Sequence, residues 1–147
     1  MRMIEHTIAQ WHRFLAGDLP GGLDELLADD VVFYSPVVFT PQKGKDVTMM
    51  YLNAAGLAFG GPSTGSAEGT KTGSTFRYTK EVLAGHHAVL EFEAEVGGKY
   101  VNGVDIITCN AEGKIVEFRV MIRPLQAVNM MHQQMMAMLE AMKATTR

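Results

Sequence analysis

The chain has 147 residues, 47% of them hydrophobic and 20% charged, with a formal net charge of −3. That length suits one domain with a real core, and its apolar runs fall far short of the thickness of a bilayer, so no membrane span is expected. The acidic balance without a Lys/Arg cluster excludes a nucleic-acid footprint, and the lone Cys109 excludes an internal disulfide and a cysteine-built metal site.

Residues 1–16 carry Glu5, His6, Gln10, His12 and Arg13 where a secretory leader would have a continuous apolar stretch, so a cytoplasmic location is expected. Ile4, Ile8, Trp11 and Leu15 recur at spacings of four and three, which predicts a first helix ending near Gly17. A short helical piece, Leu23–Leu27, leads through Asp29-Asp30 into a strand over Val31–Ser35, stopped by Pro36. Val47, Met50, Tyr51, Ala54 and Ala58 mark a third helix that closes at Gly60-Gly61-Pro62.

Residues 60–74 are rich in Gly, Ser and Thr and read as a loop. Gly65–Thr72 comes near the phosphate-loop pattern, but a residue intervenes between its second glycine and its lysine. It also follows a helix and precedes a strand, the reverse of what that motif needs, and it is rejected.

The rest of the chain turns to strands. Thr75–Leu83 is the first, and His86-His87 form a turn with no third ligand at metal spacing, so neither metal nor cofactor is expected. Ala88–Val96 alternates apolar and acidic residues, which buries Ala88, Leu90, Phe92 and Ala94 and turns Glu91, Glu93 and Glu95 outward. Gly97-Gly98 and Asn110–Gly113 then separate strands over Tyr100–Cys109 and Ile115–Ile122. A last helix from Gln126 to Lys143 holds six methionines between Met130 and Met142. Val128, Met131, Met135, Met138 and Met142 share one side, suited to core packing, a cover over a pocket mouth or a subunit contact. Helices followed by an antiparallel meander predict an α+β fold, a curved sheet with helices packed on one side.

Asp105 stands out. It lies in Gly103-Val104-Asp105-Ile106-Ile107, a strand able to bury both faces, where an unpaired charge is costly enough that the group finds a partner or keeps its proton. Its strand face also holds Val101, Gly103 and Ile107. A four-residue turn at 110–113 sets Asp105 opposite Phe118, with Val120 and Ile122 on the same face, and makes its surroundings hydrocarbon. Glu117, Arg119, Met121 and Arg123 then form a mixed opposite face, able to meet solvent or a second subunit. A three-residue turn pairs Asp105 with Arg119 as a structural ion pair. Phe33, Leu90, Phe92 and Phe118 are candidate contacts for a hydrophobic ligand, with Trp11, Phe14 and Tyr51 where core and pocket wall merge.

Three stretches, Ala16–Leu19, Leu27–Pro36 and Val104–Ile107 through Gly113-Lys114-Ile115, carry a resemblance over about residues 3–125 to the NTF2-like superfamily, in its ketosteroid isomerase and SnoaL-like branch. The resemblance implies a cystatin-like cone over residues 1–125, with 126–147 a helical extension of the same domain. It also implies a closed, mostly apolar cavity for a hydrophobic small molecule. It places Asp105 where the isomerases keep a protonated aspartic acid in their oxyanion hole, Ser35 where they carry the proton-shuttling aspartate, and Gln10 or Trp11 where helix 1 supplies their tyrosine. Serine cannot replace that base unaided, which leaves Tyr34 or a bound water near Ser35 as the candidate bases. The acid–arginine sets of related epoxide hydrolases and the His and Asp of SnoaL-like cyclases are not visible at Phe118, Val120 and Ile122. The expectation is an isomerase- or cyclase-type enzyme with Asp105 as hydrogen-bond donor; the alternatives are a binding protein that has kept only the cavity, or an interaction module. A homodimer is the expected assembly.

Overall fold

The computed structural model describes residues 3–58 and 75–145. The elements run α1 (Met3–Leu15), α2 (Gly22–Leu26), β1 (Leu27–Tyr34), β2 (Gln42–Lys43), α3 (Lys45–Ala58), β3 (Arg77–Ala84), β4 (His87–Val96), β5 (Lys99–Cys109), β6 (Ile115–Arg123) and α4 (Leu125–Thr145). The expected helix end at Gly60-Gly61-Pro62, the loop over 60–74 and the rejected phosphate-loop stretch lie outside the described residues. Among those residues, no helix is long and apolar enough to cross a membrane.

Six strands form one sheet in the order β2-β1-β6-β5-β4-β3, parallel between β1 and β6 and antiparallel elsewhere. The alternation read along β4 holds: Ala88, Leu90, Phe92 and Ala94 are all buried, and Glu91, Glu93 and Glu95 take the other face. Three local expectations change. Strand β1 begins at Leu27, because Leu27 and Ala28 are buried and Leu27 already pairs with Ile115. His87 opens β4, leaving Gly85-His86 as the turn. The two-residue β2 is not among the expected strands, since two residue pairs with β1 leave almost no periodicity to read.

All four helices bury their apolar stripes on the concave side of the sheet. Ile4, Ile8 and Trp11 of α1 meet Phe33, Leu90, Ile107 and Phe118 in the main cluster. The Thr7 hydroxyl donates to the Gly113 carbonyl at 2.9 Å, which ties α1 to the β5–β6 turn. Helix α4 returns across the same side and buries Ala127, Met131, Met135 and Leu139, one residue per turn. This stripe is rotated from the expected one: Met131 and Met135 are common to both, Val128 is half-buried, and the side chains of Met138 and Met142 lie outside the described residues.

Candidate functional site

Strand β5 delivers Asp105 to the concave face between Leu90 of β4 and Val120 of β6. The predicted facing residue, Phe118, instead stands opposite Ile107. Cys109 pairs with Ile115, one position off the register of a four-residue turn, and a bulge between Thr108 and Cys109 adds a second position, so that Thr108 pairs with Glu117. An even shift leaves every side chain on its original face, so Asp105, Phe118, Val120 and Ile122 remain together despite the wrong register.

Arg119 takes the convex face, where its guanidinium carbon lies 3.8 Å from the centroid of the Tyr34 ring and its Nη2 donates to Glu117 at 2.7 Å. The ion pair of Asp105 with Arg119 is therefore excluded. The same stacking removes Tyr34 as a base, because it lies on the far side of the sheet from Asp105.

The partner that Asp105 does have was missed. Tyr78 of β3 donates its hydroxyl proton to Asp105 Oδ2 at 2.5 Å, and Trp11 Nε1 donates to Tyr78 Oη at 3.0 Å. Two backbone features make this reach available. A bulge between Tyr78 and Lys80 brings both Tyr78, opposite Phe92, and Glu81, opposite Leu90, onto the concave side. Gly103, opposite Phe92, has no side chain to separate the phenylalanine from the sheet, and a Cβ there would lie 2.6 Å from Phe92 Cζ. Tyr78 thus lies over Phe92 and extends to the next row. Sequence reading treated Thr75–Leu83 as a plain strand; the available signal was a tyrosine one short hairpin from the strand that faces Asp105.

Electrostatics follow from this enclosure. Burial raises the Asp105 carboxyl from 3.8 to about 7, and the Tyr78 hydrogen bond opposes that rise. Burial also pushes the Tyr78 phenol well above 10, with the neighbouring Asp105 charge adding to the effect, so Tyr78 keeps its proton. With its own proton given to Oδ2 and its oxygen accepting from Trp11, Tyr78 is a relay, and a protonated Asp105 has its other oxygen available as a donor. His12 stands edge-on to Tyr78 at 5.7 Å and pairs closely with Glu81, so it fastens α1 to β3 and is more than the surface decoration its sequence position suggests.

The candidate contacts fall into three groups. Trp11, Phe14, Phe33, Tyr51, Leu90 and Phe118 share the main cluster, with Trp11 5.0 Å from Phe118 and Phe33 5.3 Å from Tyr51 between ring centroids. Phe92 and Val101 belong to a second cluster, and Val120 and Ile122 touch both. Gln10 and Ser35 do not join them. Gln10 faces a groove of about 560 Å³ between α1, α2 and the β5–β6 turn, together with His6, Arg13 and Lys114. Ser35 Oγ accepts from the Val37 amide at 3.1 Å and holds the turn through Pro36. Among the described residues, no group of three His, Cys, Asp or Glu side chains is placed to hold a metal ion.

Replacing Tyr78 with Phe removes the bond that opposes the Asp105 shift and leaves the Trp11 indole N–H without its acceptor. The variant is expected to titrate Asp105 at a higher pH than the wild type and to lose about 1–3 kcal/mol of stability. Trp11 is the only tryptophan, so its indole N–H resonance should move in the variant. An unmoved resonance and an unchanged Asp105 midpoint would remove Tyr78 from the relay.

No protein-family model and no curated protein matches the sequence. Solved structures do. A steroid delta-isomerase from Pseudomonas aeruginosa is 31% identical with a TM-score of 0.83, over 98% of this chain and 96% of that one. A bacterial protein with a cystatin-like fold from Silicibacter pomeroyi is also 31% identical, with a TM-score of 0.74 over 89% and 83% of the two chains. An NTF2-like protein from Mesorhizobium loti superposes with a TM-score of 0.61 at 22% identity, over 84% of this chain and 96% of that one. Strand order, concave-side helices and the 31% identity across nearly the whole length of the isomerase together place this chain in the NTF2-like superfamily, in the branch of the ketosteroid isomerase-like and SnoaL-like proteins.

Proposed function

We propose that this chain is a small-molecule enzyme of the isomerase or cyclase kind, in which neutral Asp105 donates a hydrogen bond to a carbonyl or enolate oxygen of an apolar substrate. The observation that carries this reading is a buried carboxyl, 6% exposed on an apolar concave face, with no cation paired to it among the described residues. A proton held there to near neutrality is aimed by the Trp11–Tyr78 relay and meets oxygen charge in a setting of low dielectric. Access is favoured at one end. Along β6, Phe118 is sealed at 1% exposure, while Val120 and Ile122 on the same face are only half-buried, and Asp105 sits opposite Val120 where this change occurs.

A second reading, a hydrophobic small-molecule binder without chemistry, is favoured by one specific observation: the position expected to carry the base holds Ser35, whose hydroxyl is engaged in a turn. A β,γ-unsaturated cyclic ketone in deuterated buffer separates the two. NMR reads α-deuteration and double-bond migration, and quenching of Trp11 fluorescence reads binding. The enzyme reading expects turnover by the wild type and a loss of about 10²–10³-fold in Asp105→Asn with binding retained. Binding without exchange or migration leaves the binder; no binding across a series of such ketones rejects both.

A further inference from the structure

An isomerase needs a base as well as an acid, and the two candidates named by the sequence are both engaged elsewhere. Ser35 is held in a turn, and Tyr34 stacks on Arg119 across the sheet from Asp105. Another pair stands on the same face as the acid. Strand pairing sets Glu81, Leu90, Asp105 and Val120 in one row across β3, β4, β5 and β6, so Glu81 and Asp105 lie two strands apart, about 10 Å along the row. The bulge between Tyr78 and Lys80 turns Glu81 inward; regular alternation from Tyr78 would send it to the convex side. His12 descends from α1, one turn after Ile8, and its Nε2 pairs closely with Glu81 Oε2. The imidazole also stands edge-on to the Tyr78 ring, at an interplanar angle of 77°, while the Tyr78 hydroxyl is bonded to Asp105. One phenol therefore touches both the imidazole and the acid.

The chemistry of the pair follows from its bonding. A carboxylate offers only lone pairs, so the ring nitrogen it holds carries the proton. In the neutral imidazole the other nitrogen, Nδ1, then keeps its lone pair, and among the described residues no group bonds to it. A histidine held in this way is a general base, and the carboxylate behind it steadies the imidazolium that forms when it takes a proton. The two side chains are 40% and 36% exposed, so a substrate can reach them without opening the core. We infer, on the strength of the enzyme reading above, that His12 is the general base of this site and that Glu81 is the residue that positions it. Nδ1 takes a proton from the carbon between the carbonyl and the double bond of a β,γ-unsaturated ketone. The C–H electron pair forms a double bond to the carbonyl carbon as the carbonyl π pair moves onto oxygen, where Asp105 donates its hydrogen bond. The imidazolium then returns the proton to the γ carbon, the carbonyl re-forms and the remaining double bond moves to the α,β position. No other reactant is consumed.

The test follows α-deuteration and double-bond migration of a β,γ-unsaturated cyclic ketone by the full chain and its variants. In His12→Gln the side-chain amide can still donate to Glu81 and tie α1 to β3, but it cannot take a proton. This variant should lower kcat by about 10²–10⁴-fold, with KM little changed and the Trp11 indole N–H resonance in place. His12→Ala should recover part of its lost turnover when imidazole is added, and the same addition should do nothing for Asp105→Asn. Glu81→Gln, whose amide oxygen still accepts from Nε2 without a charge, should lower kcat by a smaller factor and leave KM unchanged. An active wild type whose His12→Gln variant keeps its rate overturns the inference and leaves the enzyme reading standing. So does a loss in His12→Ala that imidazole fails to restore, which marks a structural role. A wild type that turns over none of the ketones removes the enzyme reading and this inference with it.

Discussion

Asp105→Asn is expected to be more stable than the wild type at pH 8 by about 4 kcal/mol, and equal to it near pH 3.5. The reason is proton linkage. The Asp105 carboxyl titrates at 3.8 when exposed and at about 7 in the folded protein, so between these values the native state holds a proton that the unfolded chain has released. Stability then falls as pH rises through that window and levels off above about 7. The 3.2-unit difference, at 1.36 kcal/mol per unit, sets the size of the effect. Asparagine matches the neutral acid in shape, its carbonyl can accept the Tyr78 proton, and it carries no charge to bury. Urea unfolding from pH 3.5 to 8 measures the difference, and at pH 8 a rise of roughly 10 °C in melting temperature should accompany it. A gap that does not depend on pH, or a wild type that is the more stable at pH 8, would show that Asp105 does not hold a proton in the folded state. On the enzyme reading proposed above, the same substitution should cut turnover by about 10²–10³-fold while strengthening the fold, the pattern of a residue kept for function at a cost in stability.

Gly103→Ala should cost about 3 kcal/mol or more, an unusual penalty for adding one methyl group in a strand. The added carbon would lie 2.4 Å from the Met121 carbonyl oxygen and 2.6 Å from Phe92 Cζ. The first contact is with backbone of the neighbouring strand and cannot be relieved by a rotamer change; the second presses on a ring that is 1% exposed. Overpacking of this kind displaces strands or rings. Displacing Phe92 also displaces Tyr78, whose ring is 6.3 Å away, edge-on, and so disturbs the bond to Asp105. Chemical denaturation gives the loss, and the Trp11 indole N–H resonance gives its reach into the relay. A variant within about 0.5 kcal/mol of the wild type would mean that the strand relaxes at this point and that Gly103 is not what lets Phe92 lie flat.

Much of this molecule is legible from periodicity and turn chemistry. The alternation of Ala88–Val96 establishes the buried face of β4, the apolar stripe Ile4-Ile8-Trp11 orients α1, and the setting of Asp105 in an apolar strand marks it as a buried acid. These features rest on local geometry: a period of two or of 3.6 residues is set by the backbone, and the cost of burying a charge is set by the side chain alone.

Other features depend on contacts between distant parts of the chain, which no local pattern encodes. The turn register at Cys109–Ile115 and the bulge after Thr108 together set the partner of Asp105 as Val120 in place of Phe118. The bulge after Tyr78 and the bare backbone at Gly103 brought a tyrosine 27 residues away to within 2.5 Å of the acid, and Trp11 to within 3.0 Å of that tyrosine. Gln10 and Ser35, assigned by resemblance, went to a surface groove and a turn, because one position of rotation on a helix or one residue past a strand end decides which way a side chain points. From its residues alone, the chain determined that an acid would be buried among hydrocarbon. Only the packed fold decided which group would share its proton, since that depends on register and on the space left by one missing side chain.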